Sequence, residues 1–578
     1  MTVAPHVLRE YALIADGERG ALCGPQGDLA WLCAPGWDDD AVFAGLANGD
    51  GVYAITPTDR FAWGGYYEPG SLIWRNRWIT DHTAVECRDA LAFPGDEHRT
   101  VILRRVLAVE KDVRLRVCLD VRAGYGARPM HDLRRDQNGS WLARTGDLRV
   151  RWSGAAEAKP DENSALGWEL FVPAGRHHDF VLEISDRPLP DLLDAELAWT
   201  RTEHAWPEAV PAFAGSVAPR DARHAYAVLR GLTTRGGGMV AAATLGLPER
   251  AEAGRNYDYR YVWLRDQCYA AQAVAVGDPH PLFDDAVRFV TARVLEHGPD
   301  LAPAYRATGA AVPAPETLGL PAYPGGAAVT GNRATAQFQL DTPGEALQVF
   351  ATAAAHDHLD AEGHRAAELA VRMIGDRWHE PDSGIWELDD KRWTHSRLAC
   401  VAGLRAYAAQ LPGPRAAELT ALADAILAET APRCTGPGGA WRRSPGDDRV
   451  DASLLLPPVR GAVAATDPRT LTTLQAVEDE LTEDGYVYRF AQDGRPLGEA
   501  EGAFLLCGFT MSLAQWQQGK ATEAFRWFER NRAACGPPGL FAEEYDVLQR
   551  QLRGNLPQAF VHASLLETAQ RLATPCPR

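Results

Sequence analysis

The hydrophobic period of this chain changes once, near residue 215, and that change limits the fold more than any motif does. Upstream, short runs are bounded by Gly, Asp, Asn or Pro: "GDLAWLCAP", "GVYAITP", "SLIWRNRWI", "RTVILRRVLAV", "VRLRVCLDVRA", "SWLARTGDLRVRW" and "DFVLEISD". Side chains alternate faces along a strand, so such runs bury one face each and predict an antiparallel β-sandwich over residues 1–200. Downstream, apolar residues recur at three and four, as in "ARHAYAVLRGLTT", "TPGEALQVFATAAAHD" and "QAFVHASLLETAQRL". That helical period predicts about eleven or twelve helices over residues 221–578. Three prolines in "PEAVPAFAGSVAPRDARH" mark a linker at residues 201–220. No fixed repeat length recurs, which disfavours a solenoid. A closed ring of helix pairs would instead gather its long loops at one end, where a pocket can form.

Composition removes several classes of partner. A net charge of −18 repels nucleic acid and anionic membrane surfaces. No apolar run reaches the length of a membrane span, and "MTVAPHVLREYALIADGERG" lacks a basic region followed by an apolar one. The ten cysteines form no Cys-x-x-Cys pair and are expected reduced, which places the chain in the cytoplasm. No His-x-x-His or Glu-x-x-His ligand pair stands out, so neither metal nor cofactor is expected. The sequence leaves monomer and homodimer open.

Three segments concentrate charge among aromatics. "GRNYDYRYVWLRDQ" (254–267) holds Asp258, Arg260, Arg265 and Asp266 between Tyr257, Tyr259, Tyr261 and Trp263. One wet-faced edge strand explains this pattern; a site for a polyhydroxyl ligand explains it better, with carboxylates accepting, guanidiniums donating and rings forming the walls. In "HEPDSGIWELDDKRWTHS" (379–396), Glu387 follows Ile385 and Trp386 after a glycine turn. Packing against Trp386 and away from water would keep its acid form near neutral pH, the alternative being a solvated rim glutamate. "GPPGLFAEEYD" (536–546) sets Glu543 beside Glu544 between Phe541 and Tyr545. Taken singly, such a pair reads as solvated loop acids. A glycosidase, however, needs two carboxyl groups, one to protonate the leaving oxygen and one to activate water or attack carbon, and these segments supply them.

With these segments, "RNYDYRYVWLRD", "GNRATAQFQLDTPGE", "SGIWE", "VDASLL", "YVYRF…EGAFLLC", "LFAEEYD" and "GNLPQAFVHASLL" stand in the order in which they occur in glycoside hydrolase family 15. The chain resembles the bacterial, two-domain form of that family over nearly its whole length. The resemblance implies an (α/α)6 barrel behind the β-sandwich and inverting release of β-glucose from a non-reducing end. It implies Glu387 as general acid and Glu543 as general base. It also implies Arg265 and Asp266 as hydroxyl ligands, Tyr259, Trp263 and Trp386 as pocket walls, and Arg489 as a further hydroxyl contact. Inversion requires the two carboxyls roughly 6.5–9.5 Å apart, to admit water.

Three departures from the family pattern fall where the leaving sugar is expected: Tyr257 in place of a Trp, Thr510 in place of an aromatic, and Leu388-Asp389 after the acid. The resemblance points to short α-glucosides, such as isomaltose or malto-oligosaccharides, as substrates of an exo-acting α-glucosidase. Trehalose is the alternative, because bacterial members of this form include trehalases. A non-catalytic glucan-binding protein is the reading from another class, and both motif glutamates argue against it. Successive side chains diverge, so Glu544 is expected to point behind the site, away from Glu543.

Overall fold

A computed structural model describes residues 4–250, 254–492 and 494–577. The outer ends of the two expected domains, residues 1–3 and 578, lie outside the described residues. The N-terminal part is two antiparallel sheets, each of eight strands among the described residues. One is built around Asp28–Cys33, Val52–Pro57 and Val113–Asp120, the other around Ala84–Leu91, Arg99–Ala108 and His177–Ser185. Alternation decides which side chains meet between them. Along Val113–Asp120, Val113, Leu115, Val117 and Leu119 are buried while Arg114 and Arg116 are exposed. The inner layer contains Trp74, Trp78 and Trp152.

Helix α1 (Ala195–Ala209) follows the last long strand, capped by the Asp194 carboxylate, which accepts from Leu197 N at 2.8 Å. It corrects the expected linker, since residues 201–209 are helical. Trp199 and Trp206 explain why: both are fully buried, and Trp206 stacks on Phe93 of the sandwich at 4.0 Å. Prolines in a sequence signal a break, but Pro207 sits in the last turn of α1.

The remainder is helical: α2 (Pro219–Leu232), α3 (Leu264–Val274), α4 (Pro281–His297), α5 (Asp341–Ala355), α6 (Ala361–Arg377), α7 (Thr394–Ala408), α8 (Gly413–Arg433), α9 (Leu456–Val459), α10 (Pro468–Glu480), α11 (Leu505–Gln517), α12 (Ala521–Arg532) and α13 (Ala559–Arg571). Helices α3, α5, α7, α9, α11 and α13 touch in that order, and α13 returns to α3, closing a ring. The alternate helices pack outside it. Sequence sorts the two layers: α11 ("LLCGFTMSLAQWQ") is buried on every side through Trp516, whereas α8 buries only Leu419, Ala423, Ile426 and Thr430. Helix α5 crosses α7 at glycines; a Cβ on Gly403 would lie 2.2 Å from the Gly344 carbonyl oxygen. This is an (α/α)6 barrel. Among the described residues no helix is long and apolar enough to cross a membrane.

The sandwich and barrel share one apolar core, which includes Leu13, Leu22 and Trp31 of the first sheet and Tyr226, Leu229 and Leu232 of α2. Arg260 locks the two polar surfaces together. It is wholly buried, pairs with Asp258 through two bonds (2.9 and 2.8 Å), and reaches the Asp39 carbonyl at 2.8 Å and the Tyr125 hydroxyl at 3.2 Å. Asp258 and Arg260 were candidates for a sugar site; the structure assigns them to the joint instead. Arg260→Met strands a buried carboxylate, and we expect it to lower stability by about 3–5 kcal/mol, read as an earlier urea midpoint.

Candidate active site

The pocket lies where inner helices begin. Arg265 and Asp266 open α3, Leu506 is in the first turn of α11, and Gln558 and Phe560 flank the start of α13. The loops that feed these helix starts complete a pocket whose space, counted out to its open mouth, is about 700 Å³. Helix N-termini carry partial positive charge, so this end of the ring suits carboxylates. The eight expected site residues, Tyr259, Trp263, Arg265, Asp266, Trp386, Glu387, Arg489 and Glu543, all line it.

Glu387 comes from the loop between α6 and α7. Its turn is closed by Glu387 N donating to the Gly384 carbonyl (3.2 Å) and Leu388 N to that of Ser383 (2.9 Å). Gly384 (φ 65°) and Glu387 (φ 55°) both have left-handed backbone. For a glutamate that conformation costs of order 1 kcal/mol, and it persists because the surroundings hold it. Arg265 donates to the Ile385 carbonyl at 3.0 Å, and the Trp263 indole donates to Glu387 Oε1 at 2.6 Å. The expected shelter by Trp386 is corrected: the Glu387 side chain is 26% exposed, and the Trp386 indole donates instead to Asp451 at 2.9 Å. Adjacent residues in a turn diverge, so the ring that serves the carboxyl comes from another segment. Trp386 packs edge-on to Phe504 as a wall.

Asp266 is 2% exposed, and burial pushes its carboxyl up to about 6, against the pull of Arg265, whose Nε lies 3.2 Å away. Tyr259 packs edge-on to Trp263 with centroids 5.5 Å apart, and its hydroxyl donates to Glu543 at 3.0 Å. Two touching rings therefore hold the two carboxyl groups, one each.

Glu543 precedes a short strand, Glu544–Asp546, that pairs with Ala503–Phe504 and Gln551–Arg553. It is buried, and that burial, followed by the charge of Glu249, pushes its carboxyl up to about 8. Strand alternation sends Glu544 behind the pocket, where Oε2 accepts from Gly502 N at 2.7 Å. The expected separation from Glu543 is corrected, however. Carboxylate oxygens of Glu249, Glu543 and Glu544 lie within 4.8 Å of one another. Such a trio has metal-ligand spacing, yet positive charge already stands there, with the Arg255 Nε 2.8 Å from Glu249 and Arg489 3.9 Å from Glu544. Arg489 lines the pocket but pairs with Glu501, while its guanidinium lies over the Phe504 ring at 4.7 Å.

Sequence reasoning missed Glu249, Arg255, Glu501, Asn332 and Gln558. Each stands in a segment already singled out or beside one, but nothing in its own neighbours marks it; only the packing of distant loops does. Among the three departures, Tyr257 lines the pocket and stacks on Tyr259. Thr510 corrects its expected place: it is buried inside α11 with its hydroxyl on the Leu506 carbonyl, and Asp389 is an exposed loop residue.

A sequence-profile comparison matches residues 223–570 to "Glycosyl hydrolases family 15" and residues 3–153 to "Trehalase-like, N-terminal". The chain is 30% identical over 628 residues to the trehalase of Mycobacterium tuberculosis, spanning 97% of this chain and 88% of that protein. It is 29% identical over 617 residues to the trehalase of Mycolicibacterium smegmatis, spanning 97% and 90%. A bacterial glucoamylase solved with acarbose shares the fold at a TM-score of 0.71 and 13% identity, covering 99% of this chain and 94% of that one. A carboxyl-bearing pocket at the loop end of an (α/α)6 barrel, in this company, defines a glycosidase. The chain belongs to glycosyl hydrolases family 15.

Proposed function

We propose that this glycosidase is an inverting α,α-trehalase. The observation that carries this reading is the full-length likeness to trehalases, which extends through the β-sandwich as well as the barrel. It favours the alternative drawn from the sequence over an exo-glucosidase of isomaltose or malto-oligosaccharides. One glucose of trehalose is held by Asp266 and Arg265, with Tyr259 and Trp263 as its walls. Glu387, at the more open side of the pocket, protonates the bridging oxygen. Glu543, buried on a different loop, removes a proton from the attacking water. The base works ionised, so kcat/KM is lost as pH falls through the Glu543 pKa, raised to about 8 by burial and by the charge of Glu249.

The stereochemistry gives the test. Inversion converts the attacked glucose to the β-anomer, while the leaving glucose keeps its α configuration. Proton NMR during the first minutes of trehalose hydrolysis is therefore expected to show α- and β-glucose in equal amounts. Only α-glucose would mean retention. Faster turnover of maltose or isomaltose than of trehalose would restore the exo-glucosidase reading.

A further inference from the structure

The acids behind the base outnumber the cations beside them. Glu249, Glu501, Glu543 and Glu544 are all buried, and the guanidiniums among them are Arg255 and Arg489. Glu501 takes most of that charge. Arg489 Nη2 and Nε both donate to it, the latter at 3.2 Å, Arg255 Nη1 donates at 2.8 Å and Gln492 at 3.1 Å. Burial pushes Glu501 up, but the guanidiniums outweigh it and hold the carboxyl below its usual range.

The other three acids converge on the same two guanidiniums, which they must share with Glu501. Glu543 receives the Tyr259 hydroxyl and Glu544 receives Gly502 N. Glu249 Oε2 and Glu544 Oε1 are buried and accept no well-aligned hydrogen bond; the charge nearest each is a guanidinium already bonded to Glu501, Arg255 at 2.8 Å from Glu249 and Arg489 at 3.9 Å from Glu544. Asp266 and Glu387, the other acids facing this wall, add negative charge. If every acid ionised, four carboxylates would face two guanidiniums in a desolvated space. Three carboxylates within 4.8 Å cannot all stay ionised there, as two carboxylates sharing a site cannot.

We propose that Glu249 and Glu544 jointly hold the proton this cluster must carry, and that Glu249, which reaches the pocket wall, is the positioning residue that sets the ionisation of Glu543. This inference rests on Glu543 being the base. Burial pushes Glu249 up against the pull of Arg255 and Arg489, and burial with the charges of Glu249 and Glu501 pushes Glu544 up, in keeping with a shared proton. Glu249 thereby acts through Glu543, with no contact to the reacting atoms required.

The test compares Glu249→Gln, Glu544→Gln and Glu543→Gln in the full chain, using kcat/KM against pH on the best-turned-over disaccharide. Glu249 and Glu544 sharing one proton carry one negative charge between them; glutamine at either position keeps the shape, leaves the proton on the other acid and so removes that charge. The Glu543 pKa should therefore fall, and the acid limb of Glu249→Gln should move at least one pH unit lower, with plateau activity within about tenfold of wild type. Glu544→Gln should shift it in the same direction. Because each variant removes a repelling buried charge, both should melt at or above the wild-type temperature; clearly lower melting in both would overturn the proposal. An unmoved acid limb with Glu543→Gln inactive would sink this inference alone. Near-wild-type activity in Glu543→Gln would sink the base assignment beneath it. Activity that needs added Mg²⁺ and disappears with EDTA would also overturn it, because a cation would then be neutralising the cluster.

Discussion

Glu543→Gln should lower kcat on trehalose by about 10³-fold or more, which corresponds to about 4 kcal/mol of transition-state stabilisation. Water attacking an oxocarbenium-like carbon must lose a proton, and an amide cannot take it. The loss should appear in kcat rather than KM, because the amide keeps the Tyr259 hydrogen bond and the outline of the pocket. Folding should not suffer: the substitution removes one of three crowded, buried carboxyls, so thermal melting by circular dichroism should match or exceed wild type. Glu543→Ala adds a second reading. The vacated space admits a small nucleophile in place of activated water, and azide should restore turnover with a β-glucosyl azide as product. An α-glucosyl azide, or kcat within tenfold of wild type in Glu543→Gln, would remove Glu543 from the role.

Glu387→Gln should also cost about 10³-fold in kcat on trehalose, but with a different dependence on substrate. The leaving group of trehalose is a sugar hydroxyl, a poor leaving group that needs a proton as the bond breaks. α-Glucosyl fluoride needs far less help. Glu387→Gln should therefore retain much of the wild-type rate on the fluoride, while Glu543→Gln loses it on both substrates. The contrast separates acid from base without reference to any crystal complex. Trp263 and Arg265 should be the residues whose loss mimics part of the Glu387 defect, since the indole donates to its Oε1 at 2.6 Å and the guanidinium lies 3.9 Å away. Equal losses on both substrates in Glu387→Gln would contradict its assignment as acid.

The layers of this fold were legible in the sequence because burial writes a period into it. Val113–Asp120 alternates, α11 is apolar all round, and α8 carries a narrow stripe; each pattern reports its own surroundings. Two elements escaped. Helix α1 was hidden by prolines, although Trp199 and Trp206, seven apart, carried its buried face. Helix α9 has only four residues, too few to show a helical period, yet it completes the ring. The segment at 254–267 was legible as a site only in part. Its residues alternate, so Tyr257 and Tyr259 face the pocket while Asp258 and Arg260 turn to the sandwich and join the domains.

By itself the sequence determined where the chain changes from strand to helix, and which ordered motifs bring Glu387, Glu543, Arg265 and Asp266 to one family of sites. Those are local properties, carried by neighbours within a few residues. The surroundings of each carboxyl were decided only in three dimensions. Glu387 is held by Trp263, more than a hundred positions away, and is open to water beside its own Trp386. Glu543 and Glu544 were expected to stand apart, yet Glu249, nearly three hundred residues earlier, closes a cluster with both. A carboxyl's charge depends on what lies within a few ångströms of it and on how much water is left there. Chain neighbours fix neither quantity; the closing of the ring, and the loops it gathers at one end, fix both.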